Sequence, residues 1–210
     1  IYFTKLLAKW ALKKKFFFIF FSTASIYKAN TKKKRNEKSH VISMPAGGKY
    51  ALQKYSCEKY LFKLKKKGLK LLIIRPTSIY GYVQHDKTFL ARYLNKLKSN
   101  QELIFFRPLS MKLNFIHAGD VSNAIIHLIR KNSQGVYNLA HEKNISIKRI
   151  ITFLKKLFPK KRNMIIINDN NKKNFSSFLN IDISKIKKTG WKNKIDILKG
   201  LRLMLEKKIY

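Results

Sequence analysis

Two short, mostly apolar runs constrain the fold of this chain more than any other feature. They are Phe16–Phe21 and Leu69–Arg75, and Pro76 ends the second run. Each run follows a segment whose apolar residues recur at helical spacing, 1–12 before the first and 50–67 before the second. Strands that are apolar on both faces and alternate with helices are typical of a parallel sheet with helical crossovers. The sequence therefore predicts an α/β fold, with Phe16–Phe21 buried on both faces.

Beyond Gly81 the predicted elements are shorter and less regular. Asp120 and Ser146 are each followed by apolar residues at helical spacing, so we expect both to be N-caps. The charged stretch 28–43 is predicted to be a solvated surface loop. Apolar periodicity predicts further helices over 89–97 and within 183–205, and strands over 103–106, 115–117, 135–139 and 164–167.

The net charge of +37 is extreme for 210 residues and raises the question of a nucleic-acid or membrane partner. The basic residues are mostly Lys rather than Arg, the side chain suited to bidentate recognition of phosphates and bases. They also lie along the whole chain instead of in one tail. We therefore favour compositional drift over a dedicated nucleic-acid surface. A basic nucleic-acid-binding protein stays an alternative interpretation.

The cysteine, histidine and apolar content exclude several other classes of protein. A single cysteine, Cys57, cannot form an internal disulfide framework and suits a reducing cytoplasm. The five His have no Cys or carboxylate beside them at ligand spacing, so no metal site is expected. The run Phe16–Phe21 is far shorter than the ~20 apolar residues of a membrane span. We expect a cytoplasmic protein without a membrane span.

Tyr50 and Lys54 are the residues that most suggest chemistry. Four residues apart on a helix, they share one face, where the ammonium would favour the phenolate form of the tyrosine. Tyr55 and Lys59 have the same spacing, so the pair alone is a weak signal. Other motifs accompany it in order: Phe21-Ser22-Thr23, Tyr50-x-x-x-Lys54-x-x-x-Glu58, Arg75-Pro76 with Tyr80-Gly81, Phe115-Ile116-His117 with Asp120-Val121, Gly135-Val136-Tyr137-Asn138, and Gly190-Trp191.

In this order the motifs resemble the NAD-dependent epimerase/dehydratase family, the extended short-chain dehydrogenases that act on nucleotide sugars. The resemblance covers essentially the whole chain. It implies NAD, or alternatively NADP, as the cofactor and a nucleotide sugar as the substrate. It also implies that 1–80 is the remaining half of a Rossmann-like NAD-binding domain. Residues 81–210 would be mostly a smaller α+β substrate-binding domain, with about 115–140 returning to the parallel sheet.

The resemblance also implies a role for each residue of the candidate site. Tyr50 would be the base that takes a proton from a sugar hydroxyl while hydride leaves the same carbon for the nicotinamide. Lys54 would stabilise the phenolate and hold the nicotinamide ribose, and Thr23 would hydrogen-bond the reacting oxygen. Pro76 and Thr77 would complete the cofactor contacts. The implied substrate contacts are Ser25, Ser78, Tyr80 and Arg107.

Several positions depart from the family pattern and bear on the reaction. Dehydratases of the family carry an Asp-Glu pair after the catalytic Thr, where this chain has Ala24 and Ser25. The sequence therefore favours an epimerase, a reductase or a decarboxylase-like enzyme over a 4,6-dehydratase. Leu113 stands where the family usually has a diphosphate-clamping Arg, and Arg107 could compensate for it.

The Gly-x-x-Gly-x-x-Gly turn that seats the cofactor pyrophosphate in this family is missing from the sequence. We therefore expect a chain that lacks its natural start, binds NAD weakly or not at all, and leaves one sheet edge unpaired. The resemblance implies a homodimer formed through paired helices, with the Tyr50 helix as the candidate. A truncated, inactive remnant or a binding module is the main alternative interpretation.

Overall fold

The computed structural model describes residues 1–28, 33–41, 45, 47–82, 88–105, 108–167 and 179–206. The helices are α1 (Tyr2–Lys13), α2 (Gly48–Lys65), α3 (Phe89–Lys98), α4 (Ala118–Arg130), α5 (Ile147–Leu157), α6 (Ser184–Lys187) and α7 (Ile197–Leu205). The strands are β1 (Phe18–Phe21), β2 (Leu71–Pro76), β3 (Ser78–Tyr80), β4 (Leu103–Phe105), β5 (Lys112–Leu113), β6 (Phe115–His117), β7 (Gly135–Leu139), β8 (Ile145–Ser146) and β9 (Ile165–Ile167).

The largest sheet has the strand order β1-β2-β7, and all its pairs are parallel. Phe21 lies opposite Ile74, and Pro76 lies opposite Leu139. The carboxyl ends of β1 and β2 therefore meet at one edge of the sheet, where doubly wound folds place their ligands. The predicted α/β fold with a parallel sheet is confirmed.

Strand β2 is buried on both faces because helices cover both sides of the sheet. Leu71 and Ile73 pack in one core with residues of α1 and α2, including Leu61. Leu72 and Ile74 pack on the opposite face with residues of α4 and with Trp191. This alternation follows from the two-residue period of a strand.

The prediction that Phe16–Phe21 is buried on both faces is wrong. Phe16 and Phe21 are 51% and 43% exposed, and Phe20 alone in β1 is buried. The reason is that β1 is at the edge of the sheet and, within the described residues, pairs only with β2. An apolar run indicates a strand, but its burial depends on what covers it.

The helix predicted from apolar spacing over 1–12 is confirmed as α1, but its largest apolar side chains face outward. Ala8 and Ala11 pack in the core beside α2. Phe3 and Leu6 are 75% and 52% exposed, and so are most of their apolar neighbours on this helix. Small alanines let α1 lie close to the helix beside it, which leaves the bulky stripe facing solvent.

A second group of elements builds its own core beyond the main sheet. Leu94, Phe105, Ile150 and Leu154 belong to one buried cluster that α3, α5 and the β4–β9 pair surround. Tyr80 also belongs to this cluster. The predicted domain boundary near residue 80 stays a prediction. Among the described helices, none has the length and apolar content that crossing a bilayer requires.

Of the two predicted N-caps, one is confirmed and one is wrong. Ser146 caps α5, with its hydroxyl accepting the Arg149 amide. Asp120 does not cap α4, because the helix begins at Ala118 and the His117 Nδ1 accepts the Gly119 amide instead.

The Asp120 carboxylate has a different structural role. It is fully buried and accepts the amides of Lys194 at 3.0 Å and Ile195 at 3.2 Å. It thereby ties the C-terminal segment to the start of α4. Burial lowers the pKa of His117, although the negative charge of Asp120 acts in the opposite direction. The lowered pKa keeps the imidazole neutral and able to accept as a cap.

Candidate active site

A cavity of about 330 Å³ opens at the carboxyl ends of β1 and β2. It contains the three predicted catalytic residues, Thr23, Tyr50 and Lys54. Pro76 and Thr77, the other predicted cofactor contacts, line it as well. The remaining lining residues are Phe21, Ser22 and Ile79. Five residues from three separate segments of the chain are therefore brought together.

Thr23 is the second residue beyond the end of β1, and it is 8% exposed. Its Oγ1 accepts the Ser25 amide at 3.1 Å and so caps the short 3-10 turn Ala24–Ile26. The bond holds the side chain in place and leaves the hydroxyl hydrogen free to donate. Thr23 can therefore offer a hydrogen bond to an oxygen bound in the cavity.

The start of α2 is pressed against this turn, and Gly47 allows the contact. The Gly47 amide donates to the Ser25 carbonyl at 3.0 Å. A Cβ on Gly47 would lie 2.8 Å from the Ser25 Cβ and 2.9 Å from the Ala51 Cβ, closer than side chains approach. This close approach brings the first turn of α2, with Tyr50, to the same cavity as Thr23.

Lys54 is held at the mouth of the cavity by the backbone of β1. Its Nζ donates to the Phe21 carbonyl at 2.7 Å and lies 5.8 Å from the centre of the Tyr50 ring. The Tyr50 side chain is 55% exposed and borders the cavity from the solvent side. Phenol and ammonium therefore share one helix face beside the strand-end hydroxyl, as their spacing predicts.

Tyr55 and Lys59, the second pair with the same spacing, lie elsewhere on α2. The Lys59 Nζ lies 5.3 Å from the centre of the Tyr55 ring, so the two side chains form a similar cation–π pair. Neither residue lines the cavity. Because Tyr50 and Lys54 line the cavity and Tyr55 and Lys59 do not, the structure favours the first pair as part of the candidate site.

The end of β2 is held by an asparagine that sequence reasoning missed. The Thr77 Oγ1 donates to Asn114 Oδ1 at 2.9 Å, and the Asn114 amide donates to the His141 carbonyl at 2.7 Å and to Asn144 Oδ1 at 2.9 Å. Asn114 thus anchors Thr77 to the loop after β7. Its partners are 27 to 37 residues away along the chain, so no local pattern marks it.

Three of the four predicted substrate contacts, Ser25, Ser78 and Tyr80, lie outside the cavity lining. Ser25 sits in the 3-10 turn, and Ser78 is exposed at the start of β3. Tyr80 is 1% exposed, its hydroxyl donates to the Asp196 carbonyl at 3.2 Å, and burial raises its pKa. Its position is that of a core residue. Arg107 lies outside the described residues, and the substrate roles of all four residues stay predictions.

A buried network around Arg75 is the second group that sequence reasoning missed. Arg75 pairs with Glu58 and contacts Tyr27, whose hydroxyl donates to Asn138 Oδ1 at 2.8 Å. Burial lowers the pKa of Arg75, but the hydrogen bonds and charge of Glu58 outweigh burial and leave the pKa raised. Burial also raises the pKa of Tyr27, although the positive charge of Arg75 lowers it in part. Both groups therefore keep their protons at neutral pH.

The polar groups of the cavity suit a nucleoside or sugar better than a metal ion. Lys54 and Thr23 offer donors, and the Ser22 hydroxyl is buried without a hydrogen-bond partner. Such an orphaned hydroxyl costs about 1–3 kcal/mol unless a ligand satisfies it. Within the described residues, no group of three His, Cys, Asp or Glu is arranged to bind a metal.

Comparison with known families decides the class of the protein. The sequence model of the NAD-dependent epimerase/dehydratase family matches residues 2–140, more than half of the chain. The chain belongs to this family. Residues 2–140 include every residue that lines the cavity. The candidate site therefore lies within the part of the chain that matches the family.

Individual relatives share the fold at low sequence identity. A Methanocaldococcus jannaschii protein named "Putative UDP-glucose 4-epimerase" is 25% identical over 158 residues, which are 73% of this chain and 50% of the relative. The Thermotoga maritima UDP-glucose 4-epimerase structure with UDP-glucose has a TM-score of 0.81 at 23% identity. It covers 97% of this chain and 67% of that chain. The chain thus spans about half the length of the curated relative.

Other solved structures of the family extend the fold match. The UDP-N-acetylglucosamine 4-epimerase of Methanobrevibacter ruminantium M1 has a TM-score of 0.85 at 19% identity and covers 97% of this chain and 66% of that one. The NAD complex of the Bacillus anthracis str. Ames dTDP-glucose 4,6-dehydratase has a TM-score of 0.85 at 18% identity. It covers 97% of this chain and 65% of that chain. These TM-scores establish the Rossmann-like fold for this family member.

Proposed function

We propose that this chain is part of an NAD-dependent enzyme that epimerises a nucleotide sugar, or carries out a related oxidation and reduction on one. The observation that carries the proposal is the single cavity shared by Thr23, Tyr50 and Lys54. Membership in the epimerase/dehydratase family supports the substrate class and the cofactor. The enzyme would work in the cytoplasm, where its one cysteine, the buried Cys57, stays reduced.

The chemistry of the three side chains follows from their charges. A sugar hydroxyl must lose its proton when its carbon is oxidised, and Tyr50 as phenolate would accept that proton. Lys54 would place its positive charge near Tyr50, because its Nζ lies 5.8 Å from the centre of the Tyr50 ring on the same helix face. The Thr23 hydroxyl would donate to the reacting oxygen and hold it near Tyr50. NAD, when bound, would supply the acceptor for the hydrogen removed from the carbon.

We propose that the cavity holds the nicotinamide and ribose end of such a cofactor. Lys54 would hold the ribose hydroxyls, the orphaned Ser22 hydroxyl offers one more donor, and Pro76 and Thr77 would line the opposite wall. The sequence contains no Gly-x-x-Gly-x-x-Gly turn for the pyrophosphate. The chain alone should therefore bind NAD weakly, and the substrates and activity of the whole protein are part of this proposal.

The residues after Thr23 favour epimerisation over dehydration. Elimination of water needs an additional acid and base beside the oxidised carbon, and Ala24 and Ser25 supply neither. Ala24 is fully buried, so its side chain does not reach the cavity. We therefore propose an epimerase, with a reductase or decarboxylase-like enzyme as the nearest variants.

Replacing Tyr50 with phenylalanine tests the proposed function. The full chain, incubated with a panel of UDP-, GDP- and dTDP-sugars and with NAD at a concentration high enough to offset its weak binding, should convert at least one sugar, as followed by chromatography. Tyr50→Phe should lower that turnover by about 10²- to 10⁴-fold, the usual contribution of a positioned base. Its circular dichroism should match that of the wild type, because the ring borders solvent.

Tyr55→Phe is the matched control, since Tyr55 has its own lysine partner four residues on but lies outside the cavity. Its turnover should stay within twofold of the wild type. Equal loss in both variants would overturn the assignment of Tyr50. Absence of turnover with every sugar would favour an inactive remnant. Tight, steeply salt-dependent binding to RNA or DNA would favour the nucleic-acid alternative.

We also propose that two copies of the chain associate through paired helices, and that the interface predicted for the Tyr50 helix, α2, includes its neighbour α1. Its exposed apolar side chains form one stripe at helical spacing, and an exposed stripe of this kind marks an interaction surface. A second copy is the occupant we favour because the family resemblance implies dimers with paired helices. The stripe consists of Tyr2, Phe3, Leu6, Leu7 and Trp10, which are 52% to 75% exposed.

Sedimentation velocity of a charge variant tests the dimer. Leu6→Glu with Leu7→Glu places two carboxylates in the stripe and should convert a wild-type dimer to a monomer, because buried unpaired charges are costly. Lys9→Glu, at an exposed polar position of the same helix, should leave the dimer intact. A wild-type protein that sediments as a monomer at every concentration would overturn this proposal.

A further inference from the structure

Arg75 joins three separate segments of the chain through one planar guanidinium. Its Nε donates to Glu58 Oε1 at 3.0 Å, and one amino nitrogen pairs with Glu58 Oε2. The other amino nitrogen donates to the Tyr27 hydroxyl at 2.8 Å and to the Glu37 carbonyl at 3.2 Å. Arg75 and Glu58 are 4% and 0% exposed. Lysine, with a single ammonium, could not make this forked set of contacts.

Two of the contacted segments, and the strand that carries Arg75 itself, each supply a residue to the active-site cavity. Glu58 lies one helical turn after Lys54 on α2, so the ion pair fixes the helix that carries the ammonium. Tyr27 ends the 3-10 turn that Thr23 caps, so its hydroxyl fixes the turn behind the threonine. Arg75 itself belongs to β2, whose last residue, Pro76, lines the cavity.

A second layer of bonds holds the network from behind. The Tyr27 hydroxyl donates to Asn138 Oδ1 at 2.8 Å, and the Asn138 amide nitrogen donates to the carbonyls of Arg35 at 3.2 Å and Asp182 at 3.1 Å. The Asn138 backbone amide donates to Glu37 Oε1 at 2.9 Å. The loop that was predicted to be solvated is therefore tied to β7 through Glu37 and Arg35.

We propose that Arg75 is a positioning residue that holds α2, the turn after β1 and the end of β2 in one register. This inference rests on the proposed function. Arg75 does not line the cavity, so it acts through Tyr50, Lys54 and Thr23 rather than on a substrate. Because a misplacement of 1 Å can cost about 10²-fold in rate, a small shift of α2 against β1 should be felt in turnover.

Glu58→Gln is the test variant, with Glu142→Gln as its matched control. Both substitutions remove one carboxylate charge from an ion pair. Glu142 pairs with Lys187 at 3.1 Å on the surface, where the side chains are 39% and 44% exposed. In the full chain, Glu58→Gln should lower kcat about 10- to 100-fold and change KM for the nucleotide sugar less than about threefold. Glu142→Gln should change neither constant.

A separate measurement keeps the inference independent of turnover. Hydrogen exchange followed by mass spectrometry should show faster exchange over 50–54 in Glu58→Gln than in a Leu128→Ala variant of similar stability. Leu128 is fully buried in the core that includes α4, so its truncation destabilises the fold and removes none of the hydrogen bonds of the network. If the wild type shows no turnover, the proposed function fails. The exchange rates alone then test whether Arg75 holds α2 in position.

Tyr27→Phe is the milder second variant, because it keeps the ring and removes only the hydroxyl link to Arg75 and Asn138. It should lower kcat by about 3- to 10-fold with the protein fully folded. Three results would overturn the inference. They are unchanged kcat in both network variants, a loss that appears in KM alone, and exchange over 50–54 that follows stability in the same way as in Leu128→Ala.

Discussion

Arg75→Met should lower the free energy of unfolding by about 3–5 kcal/mol, the usual cost of removing one partner from a buried ion pair. The loss follows from the carboxylate left behind. Glu58 is fully buried, and Arg75 donates a hydrogen bond to each of its two carboxylate oxygens. The hydroxyl of Tyr27 would lose a donor in the same step. Urea unfolding followed by circular dichroism measures the difference.

The double variant Glu58→Met with Arg75→Met is the informative control. It removes both charges, so it should recover most of the stability that Arg75→Met loses, because apolar residues often replace a buried ion pair at little cost. Glu142→Gln should change the free energy of unfolding by less than about 1 kcal/mol, as surface ion pairs do. Equal losses in the single and double variants would contradict this account of the pair.

Gly200→Ala should destabilise the protein by about 1–3 kcal/mol, although alanine is the better helix former. Gly200 lies within α7, where propensity alone predicts a gain of about 1 kcal/mol for alanine. A Cβ there would lie 2.6 Å from two ring carbons of Tyr80 and closer still to its hydroxyl oxygen. Tyr80 is 1% exposed in the second core and has no room to retreat.

A double-mutant cycle with Tyr80→Leu measures this contact. The smaller side chain removes the ring and hydroxyl that the new methyl group would meet, so Gly200→Ala should cost much less in that background. The coupling free energy between the two sites should therefore be favourable by about 1 kcal/mol or more. A stabilising Gly200→Ala in the wild-type background would show that α7 can move away from β3.

The local features of this fold were predictable because they depend on neighbours in the chain. Leu69–Arg75 became β2 because a continuous apolar run can be buried on both faces of a sheet. Ser146 became an N-cap because its hydroxyl reaches the amide three residues on. The spacing of Tyr50 and Lys54 places them on one helix face wherever that helix lies. Family motifs in order predicted the other residues of the candidate site.

Other features were not predictable because their partners are distant in the sequence. Asp120 was expected to cap α4, but its carboxylate binds amides 74 and 75 residues away. Glu37 was placed in a solvated loop, but its carboxylate binds the Asn138 amide 101 residues away. The charge of such a residue is visible in the sequence, and the group that neutralises or satisfies it is not.

The residues alone predicted the parallel α/β architecture, the family, and the pairing of a phenol with an ammonium on one helical face. The folded chain decided which of two equivalent Tyr–Lys pairs faces a cavity, which apolar stripe meets solvent, and that Arg75 joins the segments of the site. The physical reason is the distance along the chain between the interacting residues. Helix periodicity and caps are set within four residues, whereas burial and ion pairing are set by whichever distant segment packs beside them.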